Sequence, residues 1–415
     1  MVALKTTSAA ILSCNIKGAE CRNITRVLKV RESICSEYIQ CEMTLIDPYD
    51  IINNLQVTNG DPVSIAFNAP VNDRVYQQNF LITDVKGRRS PENLRTIIYT
   101  VQAVGSEYYS DRQNVVQHAT APQENGVSIA QQIWGKYFES SLSTPVPDCP
   151  FRTGDNSWTI NMEKPFTALR KIRERMVFHS YKTGNSLLYR DYDKENLVPM
   201  QYLLDNLSAQ EAFVQSTTWG KEWKSIFETE HAVIDAKIFT RPGVGAGGHA
   251  VASQGKRVFN TFQGKLATPQ QQIFATPAFS GSLSSVASLA RAVTKQGPLG
   301  AMPNIQIADG NRQNPSCDYT NKTEAERAYL EYVKGQPQYS IKVPLQLGIN
   351  TTVGKGIFVK LVPPSGDLNT PQTTGQHGGL MWVTDLVHEI ENANKQVLGT
   401  TTYQTILKEG YKGYG

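Results

Sequence analysis

The sequence predicts a mainly β protein with α+β modules, and three observations carry that expectation. Apolar and polar side chains alternate through residues 39–45 and 97–103, the same alternation returns after residue 340, and a helical period appears only between these two ends. The 415-residue chain also holds 31 Gly, 21 Pro and 18 Tyr, a composition that favours turns and sheet over a helical bundle. A chain of this length exceeds one small core, which predicts more than one domain.

Taken in order, "YIQCEMTLID" places Ile39, Cys41, Met43 and Leu45 on one face of a strand and Gln40, Glu42 and Thr44 on the other. "DPYD" interrupts it. "TNGDP" is a turn signal in which Gly60 can take positive φ and Pro62 can open the next strand, where Val63, Ile65 and Phe67 resume the alternation. "NFLITDVKG", read as ending at Gly87, and "RTIIYTVQAVG" add two more strands. About five strands over residues 22–104 predict a small twisted sheet or barrel, since closure or a partner protects the edges.

Helical spacing follows. Ile129, Ile133 and Tyr137 together with Ala130, Trp134 and Phe138 make a broad apolar face in "VSIAQQIWGKYF". In "PFTALRKIRERMVF", Pro165 suits a first helical turn, and Phe166, Leu169, Ile172, Met176 and Val177 mark the buried side. "SLLYRDYD" reads as a strand and "PMQYLLDNL" as a short helix. From Ala236 to Ala308 the chain holds no Asp or Glu but seven basic residues (Lys237, Arg241, Lys256, Arg257, Lys265, Arg291 and Lys295), a loop-rich arm suited to an acidic neighbour or a polyanion. Asn321 with Glu324 forms a capping-box pattern before a further helix. "SIKVPLQLGI", "KGIFVKLV", "GLMWVTDLVHEI" and "TTYQTILKEG" then restore the sheet pattern. In the first of these, Ile341, Val343, Leu345 and Leu347 share a face, and Pro344 marks an edge or bulge.

The formal charge of +4 is too small to indicate nucleic-acid binding on its own. No stretch reaches the length of a membrane span, and "AAIL" is too short for a signal-peptide core, so a soluble protein made in a cytosol is expected. Cys14, Cys21, Cys35, Cys41, Cys149 and Cys317 include no CxxC pair, which favours free thiols over a disulfide framework or a thiolate cage; Cys41 reads as a small core residue.

Fragments that imitate active sites fail in their details. Gly243, Gly245 and Gly248 satisfy G-x-G-x-x-G, but no acidic residue follows near twenty positions on, where a dinucleotide fold needs its ribose-binding carboxylate. Asp191, Asp193 and Glu195 begin like a calcium loop, yet Asn196 stands where the loop needs Gly and Tyr202 where it needs Glu; a solvated turn is the expectation. The histidines at 118, 179, 231, 249, 377 and 388 form no H-E-x-x-H or close ligand pair. His388 reads as a hydrogen-bonded sheet residue, and His377 sits at a turn. Neither Cys149 nor Cys317 has a local base, and no G-x-S-x-G elbow occurs. The expectation is therefore no catalytic residue, no cofactor and no metal.

The order of these elements resembles the central baseplate hub proteins of contractile-tailed bacteriophages, related to the hub portion of type VI secretion spike proteins. The resemblance rests on Thr44, Leu45 and Asp47, then Leu55, Gly60, Ile65 and Phe67; on "KPFTALRKIRERMVFHS" with the strand and helix after it; and on Val383, Thr384, His388, Tyr403, Thr405 and Leu407 near the end. It implies two similar small β-barrel hub domains per chain, assembled as a pseudo-six-fold ring in a homotrimer. Four regions follow: a first barrel over 1–110, a mixed α+β hub domain over 111–235, a basic, acid-free loop-rich insertion or arm over 236–310, where the chain departs from the family pattern, and a helix with the second barrel over 311–415. The implied partners are a central spike protein, a tail tube or tube-initiator protein and neighbouring baseplate wedge proteins, with no membrane and with DNA at most passing through the channel. The implied place is the virion tail baseplate, assembled in the host cytoplasm, with spike and wall-degrading activities on other polypeptides. The competing expectations are a β-rich tail-associated carbohydrate-degrading enzyme, which needs convergent carboxylates in a cleft, and a receptor-binding module.

Overall fold

The computed structural model describes residues 8–69, 72–89, 96–120, 124–147, 158–176, 178, 186–214, 233–238, 258–260, 265–267, 339–360, 378–393 and 396–407. Most of the acid-free stretch, the Asn321–Glu324 pattern, the G-x-G-x-x-G glycines, Cys149, Cys317 and the histidines at 179, 231, 249 and 377 lie outside these residues.

The chain opens with β1 (Ala10–Ile16) and β2 (Ala19–Glu20), joined by Lys17 and Gly18 at φ 51° and 85°, the positive pair that a two-residue hairpin needs. β3 (Thr25–Ser33), β4 (Gln40–Asp47), the one-turn helix α1 (Ile51–Asn54), β5 (Pro62–Asn68), β6 (Val75–Arg89) and β7 (Ile97–Val104) follow. The mixed module comprises α2 (Glu107–Gln113), β8 (Val116–Thr120), α3 (Gly126–Tyr137), β9 (Leu142–Ser143), β10 (Trp158–Glu163), α4 (Pro165–Arg175), β11 (Ser186–Arg190), β12 (Glu195–Pro199) and α5 (Met200–Asp205). β13 (Ala209–Val214), β14 (Asp235–Ile238), β15 (Val258–Asn260) and β16 (Lys265–Ala267) lead to the last group: β17 (Tyr339–Pro344), α6 (Leu345–Gly348), β18 (Gly356–Lys360), β19 (Gly378–Ala393) and β20 (Gln396–Leu407).

The two strand-rich ends, which the sequence presents separately, share one large sheet. Its hydrogen-bonded order is β14-β17-β20-β19-β3-β4-β7-β6-β5-β1-β2, with β18 and then β13 branching from β19. β19 joins the halves: residues 378–382 pair with β18 and residues 385–391 with β3. An antiparallel bridge from Ser8 to Leu398 and a bond from Ala9 N to Val397 O then tie the approach to β1 back to β20. Three apolar clusters sit against this frame. One gathers Leu28, Met43, Ile65, Phe67 and Val101, a second Ile341, Ile357, Trp382 and Tyr403, and a third packs α3 and α4 through Ile133, Trp134, Phe166 and Ile172.

Two expectations about element ends change. Gly87 does not stop β6; it lies within the strand opposite Tyr99, whose ring would meet a Cβ there at 2.8 Å. The strand through 341–347 ends at Pro344, which has no N–H to continue a ladder, and Leu345 and Leu347 are buried from a helical turn instead.

Candidate functional site

Two stretches of the chain follow the same course. In repeat one, β4 leads through α1 to Gly60, then β5, β6 and β7; in repeat two, β17 leads through α6 to Gly354, then β18, β19 and β20. Leu55 and Ile349 close the two helices in right-handed conformation. Five residues later the chain reaches Gly60 (φ 92°) and Gly354 (φ 79°), a region open to glycine because it lacks Cβ.

Each glycine then clamps a bulge. Gly60 N donates to Ile82 O (2.7 Å) and Ile82 N to Asp61 O (3.0 Å); in repeat two Gly354 N donates to Val383 O (2.9 Å) and Val383 N to Lys355 O (2.9 Å). The residue after each is an extra one, Thr83 in β6 and Thr384 in β19, where the register shifts. Thr83 Oγ1 donates to Gln102 O at 3.1 Å, and Thr384 Oγ1 to Gln404 O at 3.1 Å. The following aspartates, Asp84 and Asp385, pair with those same glutamines. The sequence signal for this duplication is the phrase Ile82-Thr83-Asp84 against Val383-Thr384-Asp385, which strand alternation alone does not reveal.

The repeats meet at a buried polar seam. Glu32 of β3 is fully buried, with the Tyr76 hydroxyl 3.4 Å away as donor and Val353 N donating from 3.5 Å. Burial, reinforced by the charge of Asp191, pushes its carboxyl up to about 8. His388 of β19 is also buried; its Nδ1 lies 2.9 Å from Thr401 Oγ1 and its ring meets the edges of Phe67 and Tyr76. Burial and then the charge of Arg74 hold it down at about 3, so the imidazole is neutral. At neutral pH the seam thus holds an uncharged acid and an uncharged imidazole, both sealed from solvent. Such an arrangement fixes register.

The acidic turn is a correction. Asp193 is exposed as expected, but Asp191 and Glu195 are buried. Asp191 accepts from the backbone N–H of Asp193 and Lys194 and from the Asn196 amide, while Glu195 accepts from Arg190 at 2.7 Å. The solvated reading fails because the partners that bury this turn, Arg190 and through it Glu107 of α2, include one distant in sequence. The mixed module makes a second such contact, Arg170 of α4 gripping buried Glu37 through Nε (2.7 Å) and Nη2 (2.9 Å). Among the described residues no group of three or more His, Cys, Asp and Glu side chains is placed to hold a metal ion, and no helix is long and apolar enough to cross a membrane. Cys14, Cys21, Cys35 and Cys41 are free thiols, and Cys41 packs in the first cluster.

No family model matches this sequence, and no curated protein matches it. Among solved structures the chain is similar to the 43 kDa tail protein of prophage MuSo2 from Shewanella oneidensis, with 9% identity and a TM-score of 0.55 over 98% of this chain and 100% of that one. It is also similar to the tail protein from Neisseria meningitidis MC58, with 7% identity and a TM-score of 0.50 over 98% and 100% of the two chains. A component of the type VI secretion system of E. coli aligns at a TM-score of 0.42 with 10% identity over 97% of this chain and 78% of that one. The fold is the one these two tail proteins have, and the resemblance drawn from the sequence stands at that level.

Proposed function

We propose that this chain is the structural hub of a contractile phage tail baseplate, a homotrimer that adapts the six-fold tail tube to a three-fold central spike. The observation that carries the reading is the duplicated clamp: two repeats per chain, matched bond for bond at Gly60 with Ile82 and at Gly354 with Val383, give six copies in a trimer. A three-fold ring satisfies head-to-tail contacts without a leftover surface, and six equivalent units meet a tube of six on one side. In this reading each repeat, completed by its neighbouring strands, forms a small barrel, and the isolated antiparallel bridge from Ser8 to Leu398 supports that reading for the first of them. The role is structural and requires no catalytic residue, cofactor or metal, with DNA at most passing through the channel.

A reconstruction of the spike-containing complex tests this. Three copies of the chain are expected, with both repeats facing a central channel and interfaces of about 2,000 Å² or more. Another copy number, or repeats lying away from the channel, overturns the assignment.

A further inference from the structure

Among the described residues, β6 leaves part of one edge unpaired. On one side β5 accompanies it from Val75 to Leu81, but on the other β7 begins only at Leu81, because the chain leaves β7 at Gly105, whose N–H turns to Ile39 O. Successive residues of a strand send their N–H and C=O to opposite edges. Ile82 bonds toward the β5 side, to Asp61, whereas Gln77 N bonds away from it, to the Tyr192 hydroxyl at 3.3 Å. Val75, Gln77 and Asn79 therefore turn their backbone groups away from β5. The Tyr192 hydroxyl takes the Gln77 N–H and donates to Val75 O at 3.1 Å, standing in for one rung of a missing strand. The next rung, Asn79 N–H and C=O, has no strand beside it among the described residues.

That rung opens on a cavity of about 510 Å³ lined by Gln77, Gln78, Asn79, Gly105, Glu107 and Arg190, among others. The charge there is unevenly matched. Arg190 Nη1 is shared between Glu107 Oε1 (3.3 Å) and Glu195 Oε1 (2.7 Å), which leaves Glu107 Oε2 with no hydrogen bond from a described residue. Glu195 Oε2 is buried and has no hydrogen bond from a described residue. An open strand edge offers backbone pairing, and a spare carboxylate oxygen beside it selects a cation.

We infer that this cavity receives an extended segment of a different polypeptide, added to β6 as a short strand at Asn79, with a Lys or Arg side chain donating to Glu107. The inference does not rest on the hub reading, since it concerns one protomer and is tested on the isolated chain.

Residue-resolved hydrogen exchange on the full chain gives the first readout. The Asn79 amide is expected to exchange freely while those of Gln78 and Phe80, which face β5, are protected; equal protection of all three means that the edge is already filled and overturns the inference. The second readout is selection of displayed linear heptapeptides on the full chain. Selected peptides are expected to carry a basic residue at a fixed position and to protect the Asn79 amide. They should lose about tenfold in affinity to the Asn79→Pro variant, which removes the donor without breaking a β5 bond. N-methylation of alternate peptide amides tests the same bonds without touching the protein, should the variant fold poorly. Binders that lack a basic residue, that tolerate both changes, or that are displaced equally by peptides of this chain's own sequence overturn it.

Discussion

Repeat one and repeat two make the same clamp in opposite surroundings. A Cβ on Gly60 would meet nothing within 4 Å, whereas one on Gly354 would meet the hydroxyl of buried Tyr189 at 2.3 Å. The connection into the clamp is also four residues longer in repeat one. Cys41 pairs with Ala103 as Tyr339 pairs with Thr405, yet α1 starts ten residues after Cys41 and α6 six after Tyr339. The extra residues are those of "DPYD", which hold Tyr49 out in solvent at 74% exposure. The bond pattern thus persists with or without burial, so it is set by backbone conformation, and the surroundings decide what each copy touches. Both repeats touch the mixed module, repeat one through Tyr192 and Tyr109 and repeat two through Tyr189, but only at Gly354 does that module fill the space beside the clamp glycine.

The largest expected break in the equivalence comes from alanine at the two glycines. Both substitutions force a Cβ into left-handed backbone, at about 1 kcal/mol. Gly354→Ala adds overpacking against a side chain with no room to retreat, for a total of about 3–4 kcal/mol. Urea unfolding should place the Gly354→Ala midpoint well below that of Gly60→Ala; equal midpoints would mean that Tyr189 yields and the surroundings do not matter.

The seam sharpens the comparison through pH. Glu32, pushed up to about 8, keeps a proton in the folded chain that the unfolded chain has already released above the ordinary carboxyl range. Stability therefore falls as pH rises from there through about 8, and Glu195, also held up to about 8 by burial, acts in the same direction. His388 works oppositely: held down at about 3, it refuses a proton that the unfolded chain accepts below the ordinary imidazole range, so acid also destabilises. Glu32→Gln should flatten the alkaline limb and raise stability at pH 9 by about 1–3 kcal/mol. An unchanged slope between pH 6 and 9 would remove Glu32 from the account.

Much of this frame was legible in the residues. Alternation found β4, β5 and β7 because period two is visible wherever one face is buried, Gly60 was readable as a positive-φ turn, and Pro165 stands at the first turn of α4 as its fixed φ favours. The clamps were not legible, because a bulge inserts one residue and shifts the parity at the very place that matters; around Thr384 both parities of β19 are buried, so alternation vanishes. The burial of Asp191 and Glu195 was hidden for another reason, since Arg190 is shared with Glu107, more than eighty residues away. The open rung at Asn79 was invisible because it depends on where β7 stops relative to β6, a property of the pairing and of no local sequence.

The smallest expected effect isolates the clamp hydroxyls. Thr83→Val and Thr384→Val each remove one donor to a glutamine carbonyl while keeping the branched shape that suits a strand. Each carbonyl has a second lone pair, so the loss is that of one modest bond, about 0.5–1.5 kcal/mol. The two sites should not cost the same. Thr384 is buried, so its lost bond leaves the Gln404 carbonyl without water to replace it, whereas the Thr83 bond lies where solvent can reach the Gln102 carbonyl. Thr384→Val should therefore sit near the upper end of that range and Thr83→Val near the lower, and if the bulges are independent the double variant should cost their sum within about 0.5 kcal/mol. A double variant costing clearly more than the sum would mean that the two clamps, set in separate stretches of the shared sheet, brace each other through β3 and β19.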